Sequence, residues 1–121
     1  MSLALQYTGF KVILLENGSE GTLNARKRGI RDILHTSFQD TGFPENPVDS
    51  IGLFDVLEHI EDDQEFLRPA ANAMKKESRL YITVPAHMYL WSWTDRRAGH
   101  FRRYSISSLK RTLARSGFRV I

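Results

Sequence analysis

An aspartate, a glutamate and a histidine stand close together in FDVLEHIED, at Asp55, Glu58 and His59. If a helix starts near Asp55, the three lie at i, i+3 and i+4 and share one helical face. Two carboxylates and an imidazole so placed can bind a divalent ion such as Mg²⁺ or Mn²⁺. The same residues can instead cap the helix, pair with one another or line a substrate pocket. His59 alone can act as a general base, because imidazole titrates closest to neutral pH.

Glu16 is a second candidate. It ends the apolar run of VILLENGSEGTLNARKRG. A carboxylate at a strand end can accept two hydrogen bonds from a ribose diol; the other reading is a solvent-facing acid in a turn. The segment VPAHMYLWSWTDRRAGHFRRYS is a third. Tyr89, Trp91, Trp93, Phe101 and Tyr104 are many aromatics for a surface loop. They can roof a pocket or pack back on a sheet. Arg96, Arg97, Arg102 and Arg103 carry guanidinium forks that match phosphate or carboxylate oxygens. His87 and His100 lie in the same segment, to serve chemistry or to hold structure.

Short apolar runs between turn signals must position these residues. Lys11 to Leu15 reads as a buried strand. Ser19 can cap, and Gly29 can end, a helix over 19–28. Asp32 to His35 is a short second strand, and the following TSFQDTGFPENPVD is a loop. Ser50 to Phe54 is a third strand, apolar on both faces. EDDQEFLRPAANAMKK reads as a helix in which Asp62 and Glu65 resemble a capping box and Pro69 should kink or split the element. Leu80 to Val84 is a fourth strand, stopped by Pro85, and 85–104 is a long loop. Ser105 can cap a last helix with Ile106, Leu109 and Leu113 on one face. Gly117 ends it, and FRVI starts a fifth strand.

Strands alternating with helices imply an α/β fold with a parallel, doubly wound sheet. Right-handed crossovers put the C-terminal strand ends on one edge, where ligands bind. Glu16, Ser37, Phe38, Asp55, Glu58, His59 and His87 all follow strand ends and are expected there.

The 121 residues fit one domain over 1–121. With 41% hydrophobic and 26% charged residues the chain reads as globular. It has no cysteine, which excludes disulfides and thiolate metal sites and suits the cytoplasm. No apolar run approaches a membrane span, so no membrane association is expected. Residues 1–15 lack the basic start and small-residue cleavage site of a signal peptide. Charge is unevenly placed: residues 95–121 hold eight Lys/Arg against one Asp, and residues 1–94 nine against thirteen Asp/Glu. A basic end can attract an anionic substrate or a nucleic acid, or be a solvated helix face.

Three blocks, GLFDVLEHIEDDQEFL, LYITVPAHMYLWSWTD and GHFRRYSISSLKRTLARSGFRV, occur here in that order and spacing. Together they resemble a class I S-adenosylmethionine-dependent methyltransferase of the branch with an LEH motif after the fourth strand of the full domain. The resemblance covers roughly positions 9–121. It implies a Rossmann-like sheet, of which strands two to six are present, and S-adenosylmethionine as methyl donor. By the same resemblance Glu16 holds the ribose hydroxyls, Ser37 and Phe38 flank adenine, and Leu53 and Phe54 line the methionine side of the cofactor. His59, or a residue of the following loop, is expected to be the catalytic residue that takes a proton where the acceptor needs it. Asp55, Glu58 and His59 form the place where some relatives bind a divalent metal. His87, Trp91, His100, Arg102, Arg103 and Tyr104 belong to the substrate loop.

The sequence also departs from the family pattern. No G-x-G occurs in it, although that loop normally lets the backbone approach the cofactor. A first βα unit, on the order of 30 residues, and the strand-seven hairpin are not in the chain. KKES replaces the usual Lys-Pro-Gly-Gly turn. An incomplete methyltransferase-like domain is therefore expected, weak or inactive alone. Its sheet edge is expected to be completed by rearrangement or by a second copy in a homodimer. The alternative is a non-catalytic module that binds an anionic or nucleic-acid partner through 95–121. The methyl acceptor does not follow from the sequence.

Overall fold

The computed structural model describes residues 1–16, 18–35 and 47–121. Ser37 and Phe38 lie outside the described residues. The chain divides into two compact units, Met1–Gly42 and Phe43–Ile121.

The first unit runs α1 (Ser2–Tyr7), β1 (Ile13–Leu15), α2 (Ser19–Lys27) and β2 (Asp32–Leu34). β1 and β2 pair in parallel, with Leu14 opposite Ile33. The helix cap differs from the expected one. Gly18, not Ser19, is the N-cap, with no side-chain cap bond. The Thr22 hydroxyl donates to the Gly18 carbonyl at 2.9 Å instead. Glu20 sits in the first turn of α2 and Arg26 and Lys27 in the last, each opposing the helix dipole's end charge. Gly29 takes φ 93°, which a residue without Cβ adopts freely, and the turn buries Ile30. α1 has no counterpart in the sequence reading. Gln6 ties it to this turn, donating to the Gly29 carbonyl and accepting from the Arg31 amide, both at 3.0 Å.

The second unit runs β3 (Val48–Phe54), a 3₁₀ turn (Leu57–His59), α3 (Asp63–Asn72), β4 (Met74–Thr83), a second 3₁₀ turn (Met88–Leu90), α4 (Trp93–Ala98) and α5 (Ile106–Arg115). β3 and β4 pair in parallel, from Ser50 opposite Arg79 to Phe54 opposite Thr83. The mixed α/β fold with parallel strands agrees with a partial Rossmann-like architecture. The β3 strand is not apolar on both faces. Ile51 and Leu53 face the core with Leu80 and Ile82, while Ser50 and Gly52 are exposed. The Phe54 ring lies against Gly52, where an added Cβ would stand 2.6 Å from it.

β4 starts six residues before the expected Leu80, because Ala73 leads from α3 straight into it. Val48 pairs with Met74 but Ser50 with Arg79, so β4 carries extra residues in a bulge. That bulge takes up KKES, and Glu77 within it has φ 66°. Pro69 does not split α3, which continues to Asn72. It costs the helix one hydrogen bond. Asp62 caps α3 as expected, accepting from the Glu65 amide at 2.9 Å.

The core is Leu53, Leu57, Leu67 and Tyr104, with Leu109, Leu113 and Phe118 packed against it. Ser105 caps α5 in a capping box with Ser108. Leu109 and Leu113 face the core, but Ile106 in the first turn is 76% exposed. After Gly117 (φ 94°) the Phe118 amide bonds back to Leu113. Residues 118–121 form no strand. Among the described residues no helix is long and apolar enough to cross a membrane.

Candidate functional site

In the first unit, Glu16 follows β1 directly. Its amide donates to the Leu34 carbonyl at 3.1 Å, extending the strand pairing by one step. Its side chain folds over the start of α2, where Oε1 accepts from the Gly18 amide at 2.8 Å. Room for the carboxylate comes from two glycines. A Cβ on Gly21 would lie 2.5 Å from the Glu16 Cδ, and one on Gly18 would lie 3.0 Å from Oε1. The sequence reading named Glu16 but not this cradle, whose signal is the spacing E-x-G-x-x-G.

In the second unit the chemistry gathers where β3 ends. Leu53 is a core residue and Phe54 is half-buried. Asp55 then takes φ 53°. A non-glycine residue in that region costs of order 1–3 kcal/mol and persists only where its surroundings fix it. Thr83 fixes it: the Asp55 amide donates to the Thr83 carbonyl at 3.0 Å, and the Thr83 hydroxyl donates to Asp55 Oδ1 at 3.2 Å. The helical turn starts only at Leu57, so Asp55 does not share a helical face with Glu58 and His59.

Leu57 is fully buried and anchors the turn, which carries Glu58 inward with it. The Glu58 side chain is 1% exposed. Its Oε2 is buried and has no hydrogen-bond partner among the described residues. Removing a carboxylate oxygen from water without a partner is costly, so an orphan of this kind calls for a balancing charge.

His100, not Asp55, completes the group. Glu58, His59 and His100 each offer a ligand atom, and these atoms all lie within 4.8 Å of one another. The two imidazoles meet edge to face, with centroids 4.7 Å apart. The backbone makes this meeting. The Phe101 amide donates to the Glu58 carbonyl at 2.7 Å. Arg102 donates to the Ile60 carbonyl at 2.9 Å and to the Glu61 carbonyl. The GHFRRY segment is thus stapled along LEHIE, residue after residue.

Two of the four arginines expected to hold an anion, Arg102 and Arg103, are tied to protein groups instead, while Arg96 is exposed. Arg102 also pairs with Asp63 Oδ2 at 3.2 Å. Arg103 makes a two-pronged bond to Asp95, Nε to Oδ1 at 2.7 Å and Nη2 to Oδ2 at 2.9 Å. Arg97 stacks 4.8 Å over the exposed Trp93. Tyr104 is 3% exposed and donates to Asp63 Oδ2 at 2.9 Å. Burial pushes its hydroxyl up to about 12.

The segment 85–104 is therefore not a plain loop. Its centre is α4, closed at one end by a Ser92–Asp95 capping box and at the other by Gly99 at φ 75°. Asp95 went unnoticed in the sequence, although the S-x-x-D spacing marks it. It is 1% exposed, accepts from the Ser92 amide at 2.9 Å and from Arg103, and lies 3.0 Å from His100 Nδ1 through Oδ1. The Arg103 guanidinium holds its carboxyl well below the usual carboxylate range, against the opposing effect of burial. His87 stands apart at φ 63°, its amide bonded to the Tyr104 carbonyl at 2.8 Å and its ring beside Tyr89. Trp91 is half-buried after the second 3₁₀ turn.

One carboxylate and two imidazoles form a mixed oxygen and nitrogen donor set. It suits borderline ions such as Mn²⁺ or Zn²⁺ better than Mg²⁺, which prefers oxygen and water.

None of the curated proteins compared with the chain matches it. A family model described as Methyltransferase domain matches residues 1–121. The parallel strand pairs agree with that match, and the chain belongs to this family of class I methyltransferase domains.

Proposed function

We propose that the domain transfers a methyl group from S-adenosylmethionine to a nucleophilic acceptor activated at Glu58, His59 and His100. The observation that carries this reading is the buried, unpartnered Oε2 of Glu58 within reach of two imidazoles. A buried carboxylate oxygen left unpaired by the described residues is a position where a cation or a proton donor would be accommodated.

Glu16 holds the ribose diol. Its Oε1 is already oriented by the Gly18 amide, so less freedom is lost on binding. Phe54 offers an apolar surface at the β3 end, and Ser37 and Phe38 keep the adenine role that the family resemblance gives them. In the transfer, an acceptor lone pair attacks the sulfonium methyl in line. The new bond to carbon forms as the carbon–sulfur bond breaks, and its electron pair stays on sulfur. S-adenosylhomocysteine leaves. The proton of an O–H or N–H acceptor goes to an imidazole of the cluster, with His59 the first candidate. Most of the catalytic effect is positioning.

Glu58, His59 and His100 would also hold a divalent cation. Such an ion lowers the pKa of an oxygen acceptor bound to it. The reading is tested by titrating the protein with S-adenosylhomocysteine. Saturable binding is expected; no binding up to millimolar concentration overturns it.

A further inference from the structure

We propose that Asp95 is a positioning residue that fixes the tautomer of His100, leaving Nε2 as the nitrogen His100 offers to Glu58 and His59. This rests on reading those three residues as the acceptor-activating cluster, and not on cofactor binding.

The geometry leaves one arrangement. Both oxygens of Asp95 receive N–H groups from Arg103, at 2.7 and 2.9 Å. The Ser92 amide donates to Oδ2 as well. A carboxylate gripped by this many donors serves as an acceptor only. The contact between Asp95 Oδ1 and His100 Nδ1, at 3.0 Å, is then a bond in which Nδ1 carries the hydrogen. In the neutral ring that puts the lone pair on Nε2.

The ring is also held in place from its own backbone. The His100 amide donates to the Asp95 carbonyl at 3.0 Å. Asp95 is set in turn by the α4 capping box and by Arg103. The chain Arg103–Asp95–His100 thus runs from a partly buried ion pair to the cluster. Carboxylates behind imidazoles in this way raise the basicity of the far nitrogen and fix its direction, whether it accepts a proton or a cation. The Ser92–Asp95 box could have been built with no histidine near it; here it ends on one.

The test is long-range ¹H–¹⁵N correlation of the histidine rings in the chelator-treated full chain. For His100, Nδ1 is expected to appear protonated and Nε2 unprotonated. In Asp95→Asn that pattern should shift away from Nδ1–H. Ser92→Ala removes the other half of the capping box and serves as the control. It is expected to lower stability while leaving the His100 pattern unchanged. A wild-type His100 carrying its hydrogen on Nε2 overturns the assignment, even if Asp95→Asn does not fold. An equal shift in Asp95→Asn and Ser92→Ala also overturns it, since the helix cap alone would then explain the effect. Neither cofactor nor cation is needed, so a failure to bind S-adenosylhomocysteine would bear on the proposed function and not on this assignment.

Discussion

Phe101 and Glu58 are joined through their backbones, amide to carbonyl, at 2.7 Å, across 43 positions of the sequence. This single bond brings His100 beside a buried glutamate side chain whose Oε2 has no partner among the described residues. It turns two separate sequence motifs, LEH and GHFRRY, into one site. The cost falls on stability, and it can be measured.

Replacing Glu58 with methionine keeps much of the side-chain volume and removes the unsatisfied carboxylate. The cation-free protein should gain about 1–3 kcal/mol, the scale for an unpaired buried polar group. Mn²⁺ binding, followed by calorimetry, should be lost in the same variant. A less stable Glu58→Met with unchanged Mn²⁺ binding would show that the carboxylate is structural.

Gly21→Ala separates helix stability from the placement of Glu16. Alanine in a helix favours stability by about 1 kcal/mol over glycine. The new Cβ, however, would stand 2.5 Å from the Glu16 Cδ and must push that flexible side chain away. Thermal unfolding should show stability kept or raised. Affinity for S-adenosylhomocysteine should fall by roughly ten-fold, the equivalent of about 1.4 kcal/mol. Unchanged affinity would mean that the oriented carboxylate does not serve the ribose.

Tyr104 gives a pH signature. Its hydroxyl is raised from 10.0 to about 12, chiefly by burial. A raised acid stabilises the fold in its neutral form, so the contribution is complete below pH 10 and is lost as pH climbs through 12. Tyr104→Phe should cost about 1 kcal/mol at neutral pH, through its lost hydrogen bond to Asp63. Urea midpoints should then fall less steeply above pH 10 in the variant than in the wild type. Parallel alkaline limbs would contradict this.

Glu77 is the one residue of the β4 bulge with positive φ, at 66°, and it is exposed. Glu77→Gly should raise stability by up to about 1 kcal/mol, since the left-handed region strains a residue with a Cβ. The greater freedom of glycine in the unfolded chain offsets part of that gain. Denaturant unfolding measures the balance, and a loss of stability would mean that the Glu77 side chain makes its own contribution.

Much of this was legible in the sequence, for local reasons. The four strands follow from short apolar runs, the Asp62 cap from Glu65 three positions on, and the Ser105 cap from a serine placed just before an amphipathic run. The Glu58–His59 pair and His100 stood out by type. Other features depend on contacts made far along the chain. Asp55 leaves the helical face because its pairing with Thr83, 28 residues on, holds it at positive φ. Arg102 looks like an anion ligand until Ile60, Glu61 and Asp63 take up its fork. Met74 to Ser78 do not read as a strand, since Lys75, Lys76 and Glu77 are exposed. Asp95 had a local cap signal, but its role depends on His100 and Arg103 turning back around Gly99.

The central claim is that the strand-end acid of the first unit serves a nucleoside cofactor. Calorimetric titration of the wild type and Glu16→Ala with S-adenosylhomocysteine tests it most directly. The wild type should bind one equivalent saturably. Glu16→Ala, which loses two ribose hydrogen bonds of about 1 kcal/mol each, should bind roughly thirty-fold more weakly. Absence of wild-type binding at millimolar ligand, or equal binding by both proteins, would contradict the account.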